Sequence, residues 1–234
     1  MSVTTAAPRP VRTRAGSVVT PVRLAGAGGL VFVVALVIQN ALRAAGPGFG
    51  AAPEKVTTYF LHHRAAALVP LGMFPIEMLG LFAFVAGVWA IAGRTDGRWW
   101  ATLGGLGVAS IASLFALVNI IEIVIAAKAE SLASSPAVVE ALWAIHAAAF
   151  GLDMGATAVA LIGLSRAAAS SALIPGWINA AAFAGAGCLL VAAVFAVAIT
   201  NGGAWFALGL VGFVIWIVFM LAASISLLRR PQIP

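Results

Sequence analysis

The chain has 234 residues, of which 63% are hydrophobic and 9% charged, whereas roughly a quarter of residues are charged in an ordinary soluble domain. With a mean hydropathy of +1.10, that composition excludes a soluble globular fold. The net charge of +6 arises from 13 Lys and Arg against 7 Asp and Glu. These cations gather at the ends of apolar runs and form no basic face interleaved with aromatics. That argues against nucleic acid as a partner, and for topology signals and contacts to anionic lipid.

Residues 1–21 are polar, contain Pro8 and Pro10, and carry Arg9, Arg12 and Arg14 with no acid, the composition of a disordered basic tail. The apolar stretch that follows is succeeded by Gln39, Asn40 and Arg43 with no small-residue cleavage site, so it reads as a retained helix and not a secretory signal. A bilayer crossing needs about 18 or more apolar residues. Six runs satisfy this, at about 22–44, 65–93, 99–127, 138–165, 174–199 and 204–228. The expected fold is therefore all-α: one polytopic membrane domain over 22–230.

The connections are short. Residues 45–52 form a Gly/Pro loop, and Pro53 followed by Glu54 predicts a short helix over 53–64. RTDGR at 94–98 reads as a tight turn, KAESLASSP at 128–136 as a polar loop, and Asn201, Gly202 and Gly203 as another turn. Nine arginines (9, 12, 14, 23, 94, 98, 166, 229 and 230) fall on one side of this arrangement. Arg43, Lys55, Arg64 and Lys128 fall on the other. The positive-inside rule then places both termini in the cytoplasm. Trp99, Trp100, Trp143, Trp177 and Trp205 lie near span ends, where an aromatic belt belongs. Arginine outnumbers lysine, which occurs only at Lys55 and Lys128, and Ala, Gly and Val abound; a GC-rich bacterial genome encodes such chains, which implies a bacterial cytoplasmic membrane.

Two acids lie deep in this pattern. Glu77 is about twelve residues into the second span and Asp153 is at similar depth in the fourth, which amounts to ~18 Å. A carboxylate there costs ~2.5 kcal/mol or more on insertion scales, so such groups pair, take a proton, or line a wet cavity. Both lack a basic residue at their own depth. Pro70 and Pro75 precede Glu77 and should bend its helix and free carbonyls. Gly151 and Gly155 bracket Asp153 in a spacing that admits a close helix neighbour.

The other polar groups inside spans lie on the same side of the midplane: Gln39, Asn40, Arg43, His62, His63, Asn119, Glu122 and His146. His63 and Glu77, Asn119 and Glu122, and His146 and Asp153 are spaced to share helix faces. Together they predict a polar cavity among the first four spans, floored by Glu77 and Asp153, with His63, Asn119, Glu122 and His146 at its mouth. The shallow Glu122 and Asn119 are expected to be solvated.

Cys188 is the only cysteine and lies in an apolar run, so an intrachain disulfide and a cysteine-rich metal cage are both excluded. No HExxH, GxSxG, Walker or CxxC pattern is present. No cofactor is expected; the alternative is a haem or divalent metal held by His62 or His63 with His146, or a metal among His63, Glu77, His146 and Asp153. The order His63, Glu77, Arg94, Trp99 returns as His146, Asp153, Arg166, Trp177, but the spacings differ and establish no repeat.

The C-terminal 40% carries Trp143-x-x-His146, a GLSRAA turn at 163–168, Pro175-x-Trp177 and a terminal Arg229-Arg230. In these motifs it resembles small six-helix actinobacterial membrane proteins of unknown function. The resemblance implies a six-helix bacterial membrane fold and carries no activity with it. The residues themselves favour a small permease-like protein for a cation or small polar solute, with proton coupling as one option. A non-enzymatic accessory protein and a haem or metal redox protein are the alternatives. Six helices are few for a transporter, which is compatible with a homodimer.

Overall fold

The computed structural model describes residues 21–93 and 96–230, and the basic tail over 1–20 and Arg94 lie outside the described residues. Eight helices follow one another: α1 (Pro21–Arg43), α2 (Pro53–His62), α3 (Arg64–Ala92), α4 (Arg98–Leu132), α5 (Pro136–Ser170), α6 (Gly176–Val194), α7 (Ala196–Thr200) and α8 (Trp205–Arg229). All except α2 and α7 are long and apolar enough to cross a membrane, and there are six of these. The chain is thus a multi-pass integral membrane protein by its helices. Hydrocarbon offers no hydrogen-bond partners, so these Val- and Ile-rich runs satisfy their backbone groups within helices.

The spanning helices close a ring. Each packs on two neighbours in the cyclic order α1, α3, α4, α5, α6, α8 and back to α1, and α5 also leans across to α3 and α8. Small residues make the seams. A Cβ on Gly107 of α4 would come within 2.8 Å of the Ala160 Cα of α5, and one on Gly28 of α1 within 2.9 Å of the Gly80 carbonyl of α3. On the far side, a Cβ on Gly212 of α8 would meet the Gly185 carbonyl of α6 at 2.6 Å. In a bilayer, where lipid is as apolar as leucine, such close backbone approach supplies the packing energy. Large faces of Leu79, Val194, Val197 and Leu106 point outward and stay exposed, as lipid-facing positions do.

At one end of the ring α1, α4 and α6 finish while α3, α5 and α8 begin. Here α2 lies across α4 and α5, burying Val56 and Phe60 against Ile121, Ile125, Val139 and Trp143. Pro53 occupies its first turn and Glu54 meets the positive end of the helix dipole.

Three element boundaries depart from expectation. The segment from Lys128 does not run as a loop: beyond a kink at Lys128 (φ −117°, ψ 15°) the helical run of α4 resumes as far as Leu132. The fifth span breaks at Phe195 (φ −94°, ψ 24°) into α6 and α7. Phe195 stacks on Trp205 at 4.0 Å, and Ala196 of α7 sits 2.7 Å from where a Gly151 Cβ would be. α5 runs five residues past the span drawn for it, to Ser170.

Candidate functional site

Arg43, the last residue of α1, turns inward. Its Nη2 donates to Glu122 Oε2 and to Asn119 Oδ1, both at 3.0 Å, and its Nη1 donates to Gln39 Oε1 at 3.1 Å. The guanidinium carbon also lies 5.1 Å from the centre of the Phe115 ring, a cation–π contact in a desolvated setting. Glu122 uses its other oxygen to accept from His146 Nε2 at 2.8 Å. Since a carboxylate only accepts, the contact assigns the Nε2 proton to the imidazole. Trp143, one turn earlier on α5, stacks flat on His146 at 4.3 Å and donates its indole N–H to the Gly48 carbonyl. α1, α4 and α5 are thereby locked together by one polar cluster at the α2 end. Gln39 extends it to α3 by donating from Nε2 to the Pro70 carbonyl at 2.8 Å.

The cluster floors a cavity of about 700 Å³. Arg43, Glu122, His146 and Asn40 are its polar lining; Phe49, Tyr59, Phe60, Trp143, Phe150, Phe206 and Phe213 supply aromatic walls. Two loops at the α2 end close over it. Gly50 (φ +72°) lies so close to Asn201 and Gly202 that a Cβ would come within 2.9 Å of both backbones, and Gly202 (φ +79°) approaches the Phe49 carbonyl in turn. Only glycine fits both positions, because left-handed backbone and close approach coincide there. Phe49, carried by this loop, packs on Phe150 and Phe206 at 5.3 Å and on His146 at 5.9 Å.

A second, smaller cavity of about 70 Å³ lies beneath. It shares Asn40, Phe150, Phe206, Leu210 and Phe213 with the vestibule above, so the two adjoin. All six spanning helices contribute to its wall, from Phe32 and Leu36 of α1 to Leu189 of α6 and Trp216 of α8. Glu77 and Asp153 both line it. Glu77 is fully buried, and both of its oxygens and Oδ1 of Asp153 are enclosed with no hydrogen-bond partner in the protein. Orphaned polar atoms at this depth cost free energy. The volume exceeds the 10–15 Å³ or so that one water or ion needs.

Several expectations meet this geometry differently. Glu77 and Asp153 line one cavity, and Asn119, Glu122 and His146 meet in one cluster. Glu122 is not solvated: it is 7% exposed and bonded on both oxygens, because Arg43 folds down from the helix end to reach it. His62 and His63 stand apart. Each donates from its ring to a carbonyl one turn back, Thr58 and Tyr59 respectively, and both are exposed. The start of α3 falls after His63, which swings that ring out onto Tyr59 at 5.0 Å and off the face of Glu77. His62 and His63 thus hold contacts within α2 while His146 is engaged by Glu122 and Trp143, and among the described residues no group of three His, Cys, Asp or Glu is gathered for a metal ion.

Arg43, Gln39 and Trp143 belong to the site although they read as a helix end and a belt aromatic. The available signal was spacing: Gln39 and Arg43 are four apart and Trp143 and His146 three apart, so each pair shares a face. Comparison of the chain with protein-family models, curated proteins and solved structures returns no match. The geometry alone carries the functional argument.

Proposed function

We propose that this protein is a small permease-like membrane protein that passes protons or a small cation along the axis of its helix ring, with both termini in the cytoplasm and the α2 end facing outward. The observation that carries this reading is the pair of unpartnered carboxylates, Glu77 and Asp153, lining one cavity to which every spanning helix contributes. A pair kept only to hold helices together would bond to each other or to a neighbouring backbone, and the three enclosed oxygens do neither. A small cation or a shared proton satisfies them. The aromatic vestibule above supplies the route to it, the two cavities sharing Phe150, Phe206 and Phe213 in their walls. The orientation rests on the arginine count. At the cytoplasmic face, Arg98, Arg166, Arg229 and Arg230 meet anionic lipid headgroups.

The test is flux into sealed proteoliposomes carrying an internal pH dye, with sodium, potassium or no added cation outside and a membrane potential imposed. The wild type acidifies or alkalinises the lumen faster than protein-free vesicles. Glu77→Gln with Asp153→Asn reduces that rate at least tenfold while the protein still inserts and elutes as the wild type. Wild-type flux equal to that of empty vesicles, or an unaffected double amide, overturns the proposal. In the latter case a double amide that only melts earlier marks an accessory protein whose acids are structural.

A further inference from the structure

The inner cavity discriminates between the two kinds of charge that the axial reading allows. Three of the four carboxylate oxygens of Glu77 and Asp153 are enclosed, and Glu77 as a whole has no exposed surface. Oδ2 of the half-buried Asp153 is the one not enclosed in this way. Asn40 and Thr157 are the other side chains on the wall that carry an oxygen, and the Asn40 amide nitrogen is spent on the Leu36 carbonyl. The rest of the wall is Phe, Leu, Met, Ile, Trp and a glycine. At most one side-chain oxygen from each of Asp153, Asn40 and Thr157 therefore faces the space.

That set is too small for a metal ion. Calcium takes about six to eight oxygens and magnesium a near-ideal octahedron, and potassium sites replace the hydration shell with rings of carbonyls. A proton needs no such shell, because it bonds covalently to a single oxygen. At about 70 Å³ the cavity has room for a few waters to deliver it. Asp153 Oδ2 then gains the proton of a hydronium ion, a water is left behind, and the carboxylate becomes a neutral carboxyl group. The same neutralisation suits Glu77, whose enclosed oxygens admit nothing larger unless the side chain moves. Glu77 and Asp153 are the only ionisable residues on this wall, and toward the α2 end Arg43 and His146 are both bound to Glu122. We infer that the cargo of the carboxylate pair is the proton, exchanged at Asp153 Oδ2, and that the pair holds no metal cation. This rests on the axial reading proposed above and names its substrate.

Sealed proteoliposomes of the full chain separate proton from metal ion. An acid step is applied outside with N-methylglucamine as the only other cation and thiocyanate as the permeant counter-ion. Acidification of the lumen is expected to be at least tenfold faster than in protein-free vesicles, and to change less than twofold when sodium or potassium replaces N-methylglucamine. Uptake of radioactive sodium or rubidium is expected to match that of protein-free vesicles. Asp153→Asn lowers the proton rate at least tenfold, and Asp153→Glu, which keeps a carboxyl group, restores most of it. Proton flux that needs sodium or potassium, or isotope uptake above the empty-vesicle rate, overturns this inference and leaves the axial path standing. An Asp153→Asn variant that inserts as the wild type and conducts equally overturns it too. No movement of any of these ions overturns the axial reading itself, and this inference with it. The wild-type comparisons stand even where the Asp153 variants fail to fold.

Discussion

Glu122 holds three helices through two bonds. Arg43 of α1 and His146 of α5 converge on its two oxygens, so removing Arg43 leaves the Glu122 charge inside the bundle without its guanidinium. Breaking a buried pair from one side costs about 3–5 kcal/mol, whereas replacing both members by apolar groups of similar volume is often close to neutral. Arg43→Met is therefore expected to lower stability by about that amount, and Arg43→Met with Glu122→Leu to recover most of it. Chemical unfolding in detergent, read as a double-mutant cycle, checks this; additive losses would show that the pair is not coupled. At this scale the sequence was partly legible. Glu77 and Asp153 are conspicuous because acids are rare at that depth, and their shared cavity follows from helix spacing. The role of Arg43 was hidden because a long side chain at a helix end can extend either to the headgroups or into the bundle, and only tertiary packing decides. His63 misled for the opposite reason: counting fourteen residues to Glu77 assumes an unbroken helix, and α2 ends at His62.

Among helices, the tightest approaches are glycine seams. Gly107→Leu would drive a branched side chain into the backbone of α5, and overpacking of this kind costs about 1–3 kcal/mol or more. Gly187→Leu, on α6 with nothing within 4 Å of its Cβ, should change stability by less than about 0.5 kcal/mol. Thermal melting of the two variants in the same detergent separates them, and equal losses would contradict the seam. The spans themselves were read from length and hydropathy, and α2 from Pro53 and Glu54, since these signals are local. The breaks at Lys128 and Phe195 carry no local signature. Neither is glycine or proline, and the ring of Phe195 stacks on Trp205 of another helix. α3 runs through Pro70 and Pro75, and Gln39 donates to the Pro70 carbonyl from a neighbouring helix, a contact that a single helix cannot reveal.

For the whole molecule, an even number of crossings puts the two termini on one side, and the proposed orientation assigns that side to the cytoplasm on the arginine count. Fluorescent-protein fusions at either terminus are expected to glow, and a periplasm-active phosphatase fusion after Asn201 to be active; the reverse pattern would invert the molecule and the direction of the vestibule. Composition made the membrane legible at once, whereas the ring was not, because cyclic order depends on which faces of near-uniformly apolar helices meet. The proposed axial path requires the vestibule to open into the carboxylate cavity with which it shares lining residues. The most direct measurement is thiol labelling of Thr157→Cys, a wall residue of the inner cavity, in a Cys188→Ser background reconstituted with known orientation. A small, charged, membrane-impermeant methanethiosulfonate reagent added at the α2 end should label that position, and prior filling of the vestibule by Ala207→Phe should slow it at least tenfold. No labelling from the α2 end, or labelling that ignores the vestibule, would contradict an axial path.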